Sequence, residues 1–209
     1  MISSKDSWGE LLVHNKQELF FGDVKIIVED GVFTPDPSLS YSASVIIQNL
    51  PLLNGLRVAD VGTGTGIIAI FAAKQGAREV VATDVSGVAI ENAQVNVIAN
   101  NVVDRVKILK TNLLDDVQGK FDLICANLPI LDELWETQGV KTEATIEVFL
   151  KEAKMSLNLG GQIYLSWGSF AEKKDIIEDL FKKHGYDFRS VTTEQLGHVW
   201  YLYILYRTS

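Results

Sequence analysis

From residue 56 to residue 185 the chain switches repeatedly between short apolar runs and longer stretches with helical spacing, and this alternation limits its fold more than any other feature. Residues 56–59 read as a strand, 66–75 as a helix closed by Gly76, 79–83 as a strand and 87–100 as a helix. Residues 106–109 and 121–126 read as strands. Residues 142–157 form a helical pattern stopped by Gly160-Gly161, 162–167 a strand, and 171–184 a helix ended by Gly185. Strands alternating with helices call for a mostly parallel sheet covered on both faces. The last two strands, 186–193 and 199–206, turn around Gly197 and break the alternation, so one antiparallel strand is expected inside or beside the sheet.

Ahead of this pattern the reading is less regular. Residues 1–23 mix Trp8, Leu11, Leu12, Leu19, Phe20 and Phe21 with charges, as a helix or arm packed on the body would. Val24-Lys25-Ile26-Ile27-Val28 and Val32-Phe33 flank Glu29-Asp30-Gly31, which predicts a β-hairpin with an Asp-Gly turn. Pro35 and Pro37 interrupt any regular element, and residues 40–50 have helical spacing up to Pro51. The expected division is an extension over 1–38, carrying a helix and a hairpin, and a main domain over 39–209.

The chain has 209 residues, 47% of them hydrophobic, enough for one sizeable core and short for two enzyme domains. No apolar run approaches the roughly 20 residues needed to cross a bilayer. The single cysteine, Cys125, excludes an internal disulfide framework. Met1-Ile2-Ser3-Ser4-Lys5-Asp6 lacks the basic segment and apolar core of a secretory signal, so a cytoplasmic enzyme is expected. A net charge of −8 argues against tight nucleic-acid binding, which depends on Lys and Arg neutralising phosphates. Lys173-Lys174 and Lys182-Lys183 lie at helical spacing among apolar residues and read as a solvated helix face. A basic protein or a small molecule suits the charge better as a partner. No signal for an oligomeric state is present.

The chemistry concentrates at the first strand-to-helix junction, Val58-Ala59-Asp60-Val61-Gly62-Thr63-Gly64-Thr65-Gly66. Glycines permit backbone conformations that side chains forbid, and they let a ligand press against the main chain. The following helix offers unpaired N–H groups and the positive end of its dipole. Gly-x-Gly-x-Gly by itself fits a dinucleotide, a nucleoside or a plain tight turn. The dinucleotide fingerprint is Gly-x-Gly-x-x-Gly, and Ile67 stands where its third glycine would be, which opposes a nicotinamide oxidoreductase. Asp60 can attract a cationic amine, and Asp84, after the second strand, can accept both hydroxyls of a ribose. Each aspartate alone could instead cap a turn or helix, Asp84 the one beginning near Ser86. Together, at two strand ends with the glycines between them, they describe S-adenosyl-L-methionine better than a pyrophosphate cofactor.

These residues resemble the first motif of the class I S-adenosylmethionine-dependent methyltransferases, and the likeness runs from about Gly31 to the C-terminus. It implies a Rossmann-like, doubly wound α/β fold with a seven-stranded sheet whose last strand is antiparallel. It also implies that Gly62, Thr63, Gly64 and Gly66 wrap the methionine portion, Asp60 holds its ammonium, Asp84 binds the ribose and Val85 lies beside the adenine. After the third strand, Asn112 stands where the family commonly has an Asp against the adenine amino group; its amide oxygen can accept the same hydrogen bond, and Leu113 can supply a backbone N–H. Within the class the chain looks like the small-domain and release-factor glutamine methyltransferase type. Gly31-Val32-Phe33-Thr34-Pro35-Asp36-Pro37 is similar to the segment those enzymes fold over the cofactor, which implicates Phe33 and Thr34.

The acceptor motif of that subgroup, Asn-Pro-Pro-Tyr, corresponds here to Asn127-Leu128-Pro129-Ile130. Asn127 and Pro129 are kept and the carbonyl of Leu128 can still accept a hydrogen bond, but Ile130 offers no aromatic face to a planar amide or base. Trp135 is near in sequence and could replace it. The tetrapeptide also resembles the Asn-Ile-Leu-type loop of the ribosomal-protein L11 methyltransferases, which act on protein amines. Its alternative reading is a strand-ending turn.

The resemblance thus implies N-methylation of a protein side chain or of a small-molecule amine or amide, with Asn127, Leu128 and Pro129 at the reacting centre. A nucleic-acid base N-methyltransferase and a non-catalytic S-adenosylmethionine-binding module are the alternatives. Asp132 and Glu133 read as a solvated loop before they read as proton acceptors. Ser166-Trp167-Gly168-Ser169 ends a strand, where it can line the site or turn the chain. Cys125 reads as a small buried residue, His14, His184 and His198 lack metal-ligand spacing, and Trp200, Tyr201, Tyr203 and Tyr206 read as sheet residues.

Overall fold

In the computed structural model, residues 15–129, 142–171 and 174–208 are described. They form a hairpin, β1 (Gln17–Phe21) with β2 (Val24–Val28), followed by α1 (Ser42–Ile47), β3 (Arg57–Val61), α2 (Ile67–Lys74), β4 (Glu79–Asp84), α3 (Gly87–Ala99), β5 (Val106–Lys110) and β6 (Phe121–Ala126). After these come α4 (Thr142–Ser156), β7 (Leu157–Gly168), α5 (Lys174–Lys183), β8 (Tyr186–Gln195) and β9 (His198–Arg207). The seven-stranded sheet runs β5-β4-β3-β6-β7-β9-β8. β9 is antiparallel to both β7 and β8, and the other pairings are parallel. The expected α/β sheet with an antiparallel last strand is therefore present.

The central strand explains why the sheet needs two covers. Val58, Ala59, Asp60 and Val61 are all buried, so β3 presents a protected side chain on each face. On one face Val58 joins a core with Ile67, Ile70, Ala73, Val97 and the hairpin residues Val24, Ile26 and Val28. On the other, Ala59 and Val61 join Ile146, Phe149, Leu150, Ile177 and Phe181 from α4 and α5. α2 is buried at Ile67, Ile68, Ala69, Ile70, Ala72 and Ala73, nearly all round, because it is enclosed between the sheet and its neighbouring helices. On β9, Tyr201 and Tyr203 stack on one face while Trp200 is buried on the other against Phe170.

Two elements differ from the sequence expectation. The hairpin lies one strand earlier: Leu19 pairs with Ile26 and Phe21 with Val24, across a turn at Gly22-Asp23. The apolar run over 19–21 is therefore strand, not helix, and residues 1–14 lie outside the described part. The expected Asp-Gly turn forms, with Val32 N–H donating to the Glu29 carbonyl, but beyond it Phe33 makes a single isolated β-bridge and the chain continues as a strap, not a strand. The second difference is at Gly160-Gly161. α4 ends at Ser156 and β7 starts at once, Leu157 pairing with Phe121; the glycines sit in an irregularity within the strand, Gly160 at φ 79°. Among the described residues no helix is long and apolar enough to cross a membrane.

Candidate functional site

β4 and β5 lie to one side of β3, and β6 and β7 to the other. Chain direction thus reverses around the carboxyl ends of β3 and β6, and a crevice opens there in folds of this kind. The loop after β3 turns across the end of β4, with the N–H groups of Gly62 and Thr63 both donating to the Thr83 carbonyl at 2.9 Å. Gly62, Gly64 and Gly66 have φ of 71°, 53° and 82°, in the region that side chains disfavour. Their reasons differ. A Cβ on Gly62 would lie 3.2 Å from Leu128 Cδ2, so the glycine loop and the loop after β6 touch across the crevice. A Cβ on Gly66 would press on Ala93 of α3, at 3.3 Å, which is a packing reason. A Cβ on Gly64 would meet nothing, so this glycine faces open space.

Asp60 is wholly buried. Its Oδ2 accepts from Thr63 Oγ1 at 2.6 Å and from the N–H of Ala69, in the first turn of α2, at 3.0 Å. Capping is therefore part of what this carboxylate does. Its Oδ1 has no hydrogen-bond partner. Burial raises its pKa from 3.8 to about 7, against the lowering effect of Thr63 and Ala69; the negative charge of Asp84 adds to the rise. Asp84 accepts from Gly64 N–H at 2.9 Å through Oδ2 and from Ser86 N–H at 2.9 Å through Oδ1. It does not cap α3: Ser86 does, accepting from Ala89 N–H. Burial raises the Asp84 pKa as well, while the backbone donors from Ser86 and Gly64 oppose the rise. Among the described residues neither aspartate has an ion-pair partner.

Val85, next to Asp84, is 67% exposed. Asn112 is exposed after β5, and Leu113 beside it is buried with φ 48°, a conformation uncommon for leucine. Phe33 is half-buried in the strap. Thr34 is fully buried, its Oγ1 accepting from Gln17 Nε2 at 3.1 Å, so its hydroxyl ties the strap to β1. Asn127 is half-buried at the end of β6, Leu128 is buried under the glycine loop and Pro129 is half-buried. Asn127 Oδ1 accepts from Ser166 Oγ at 2.8 Å, and Ser166 on β7 is buried. Of the Ser166–Ser169 group, Ser166 is the one that hydrogen-bonds Asn127; Trp167 is buried among residues from α4 and α5, and Ser169 Oγ accepts from Val199 N–H. Burial pushes the Cys125 thiol up, as for an inert core cysteine. Ile130, Asp132, Glu133 and Trp135 lie outside the described residues.

The arrangement places an open glycine turn, an orphaned buried carboxylate oxygen and a strand-end carboxylate on the β4 side. On the β6 side it places an amide oxygen fixed by a serine. The sequence carries no sign of the partnership between Asn127 and Ser166, and of Asn92, Asn96 and the C-cap Asn100 of α3 the only sign is a polar residue at every fourth position.

Residues 23–189 match the methyltransferase small domain family. A ribosomal protein L11 methyltransferase from Clostridium perfringens (strain SM101 / Type A) is 34% identical over 137 residues, covering 66% of this chain and 39% of that protein. The chain thus spans about two fifths of the length of that relative. The crystal structure of a ribosomal protein L11 methylase from Lactobacillus delbrueckii subsp. bulgaricus is 32% identical with a TM-score of 0.63, covering 80% of this chain and 77% of that one. The Thermus thermophilus 16S rRNA N2 G1207 methyltransferase, solved with AdoMet and guanosine, shares the fold at a TM-score of 0.70 and 19% identity, covering 93% of this chain and 50% of that one.

Proposed function

The chain belongs to the methyltransferase small domain family, and from that premise we propose that it transfers a methyl group from S-adenosyl-L-methionine to a nitrogen of a protein side chain. The observation that carries this reading is a pair of carboxylates, Asp60 fully buried and Asp84 half-buried, that flank an open glycine turn and have no ion-pair partner among the described residues. Buried charge without a partner is costly. A ligand with a cationic amine at one end and a ribose diol nearby relieves that cost at both positions.

The unpartnered Oδ1 of Asp60 is buried, so it would favour an ammonium through water rather than by direct contact, and the clearance a Cβ would find at Gly64 would let a ligand lie against the main chain. Each Asp84 oxygen uses one of its lone pairs on a backbone N–H and keeps another for a hydroxyl. Val85, Asn112 and Leu113 would flank the base, and Phe33 and Thr34 would hold the strap beside the site.

When bound, the cofactor supplies an electrophilic methyl group, so the protein's task is position and electrostatics. Asn127 Oδ1 and the Leu128 carbonyl would accept hydrogen bonds from the acceptor nitrogen and stabilise the positive charge that develops there. Ser166 orients the Asn127 oxygen by donating to it, leaving a lone pair for the acceptor. Gly62 leaves room for the Leu128 side chain and the Asn127 carbonyl beside the glycine turn, so the acceptor loop lies against the turn proposed to hold the methyl donor. Pro129 fixes the chain direction beyond Leu128. A neutral amine needs no general base.

Two considerations support a protein acceptor. The net charge of −8 disfavours nucleic acid, and two relatives are named for a ribosomal protein. The test is incubation of purified protein with methyl-tritiated cofactor and either ribosomal protein L11 or ribosomal RNA. Label should enter the protein. Asn127→Ala should lower the rate about 100-fold while cofactor affinity changes less than about threefold. Label entering RNA alone would overturn the acceptor class. Cofactor binding without transfer to protein, RNA or small amines would favour a non-catalytic binding module.

A further inference from the structure

Helix α3 carries Asn92 and Asn96 on its buried face and is followed by its C-cap Asn100, three asparagines at four-residue spacing that are 1%, 0% and 8% exposed. Asparagine is a poor helix former and a costly buried residue unless its amide is satisfied. All three are satisfied by the hairpin. Asn100 Oδ1 accepts from Lys25 N–H at 3.2 Å and its Nδ2 donates to the Lys25 carbonyl at 2.7 Å. Asn96 does the same with Ile27, both at 2.7 Å. Asn92 accepts from Glu29 N–H at 3.2 Å and donates to the Ile27 carbonyl at 2.8 Å. Four helical residues advance roughly 6 Å and two strand residues about 6.8 Å, so the rungs stay in step. The ladder occupies the edge of β2 that is not paired with β1.

One rung reaches further. Asn96 Nδ2 also donates to the Thr65 carbonyl at 2.8 Å, within the glycine turn. A single buried amide therefore joins the turn proposed to wrap the cofactor, the helix that follows Asp84, and the strand that leads through Glu29 into the strap bearing Phe33 and Thr34. We propose that Asn96 is a positioning residue for the cofactor, holding the glycine turn and the strap in one fixed relation. Asn100 anchors the far end of the hairpin and has no bond to the turn.

The inference rests on the cofactor reading above, and its test separates the two. Affinity for S-adenosylmethionine is measured by calorimetry in the wild type, Asn96→Ala and Asn100→Ala, well below each melting temperature. Both variants should melt at lower temperature. Asn96→Ala should weaken binding at least about tenfold, and Asn100→Ala less than about threefold. Equal losses in both, or none in Asn96→Ala, would mean that the ladder is structural only. A wild type that does not bind would instead sink the cofactor reading. Amide hydrogen exchange in the wild type needs no variant to fold: cofactor should slow exchange at Ile27 N–H, the proton accepted by Asn96, more than at Lys25 N–H. Unchanged exchange at Ile27 on a bound protein would overturn the coupling.

Discussion

The two ends of strands β3 and β4 carry acidic residues in opposite conditions. At the amino ends, Arg57 pairs with Glu79 at 2.6 Å and Lys107 with Glu79 at 2.9 Å. Lys107 and Arg57 hold the Glu79 carboxyl below its ordinary range. At the carboxyl ends of the same strands, Asp60 and Asp84 have hydrogen-bond donors but no ion-pair partner among the described residues, and burial pushes both upward. One end is electrostatically closed. The other is left short of positive charge, and it is the end where the glycine turn opens. Protein stability favours the first arrangement; the second makes sense when a cation arrives from outside.

Added negative charge at the open end should have the largest effect. Gly64→Asp places a third carboxylate beside Asp84, where a Cβ meets nothing and φ is 53°. Aspartate tolerates that left-handed conformation better than most residues. Binding of S-adenosylmethionine should fall at least about 100-fold, while the left-handed backbone costs only about 1 kcal/mol of stability. A variant that melts normally and binds normally would remove Gly64 from the site.

A subtler separation comes from pH. The folded chain holds the Asp60 proton to about 7, whereas the unfolded chain releases it near 3.8. Between those values the folded state binds more protons, so stability from this group falls as pH rises from about 4 to about 7. Glu79 works in the other direction. Its carboxyl lies below 4.5 when folded, so its contribution is present above that pH and is lost as pH falls below it. Urea midpoints from pH 4 to pH 8 should show the alkaline decline shrink in Asp60→Asn and persist in Glu79→Gln. An identical pH profile for wild type and Asp60→Asn would contradict the account of the open end. The smallest effect belongs to the closed end: Glu79→Gln should change cofactor affinity less than about twofold and stability by no more than about 1 kcal/mol, since partly exposed ion pairs contribute little.

The same contrast governs what was legible in the sequence. The sheet and its helices were, because apolar periodicity is local and because β3 to β7 each follow a helix or a turn of recognisable chemistry. The glycine turn, Asp60 and Asp84 were, because they occupy strand ends that the periodicity already marks. The hairpin was displaced by one strand for a physical reason: the vacant edge of β2 is covered by side-chain amides of α3, not by residues after Gly31. Asn96 lies 69 residues from Ile27, and Ser166 lies 39 from Asn127. Nothing local announces such pairs. The glycines at 160 and 161 read as a helix stop because glycine marks both helix ends and strand irregularities, and pairing of Leu157 with Phe121 settles it for the strand.

The central claim is that the open end holds S-adenosylmethionine through its unpaired carboxylates. Equilibrium dialysis tests it directly, with labelled S-adenosylmethionine and NAD against wild type and Asp84→Ala. One equivalent of S-adenosylmethionine should bind to the wild type in preference to NAD, and Asp84→Ala should weaken that binding at least about 30-fold through loss of charged hydrogen bonds. Wild-type affinity in Asp84→Ala, or preference of the wild type for NAD, would contradict it.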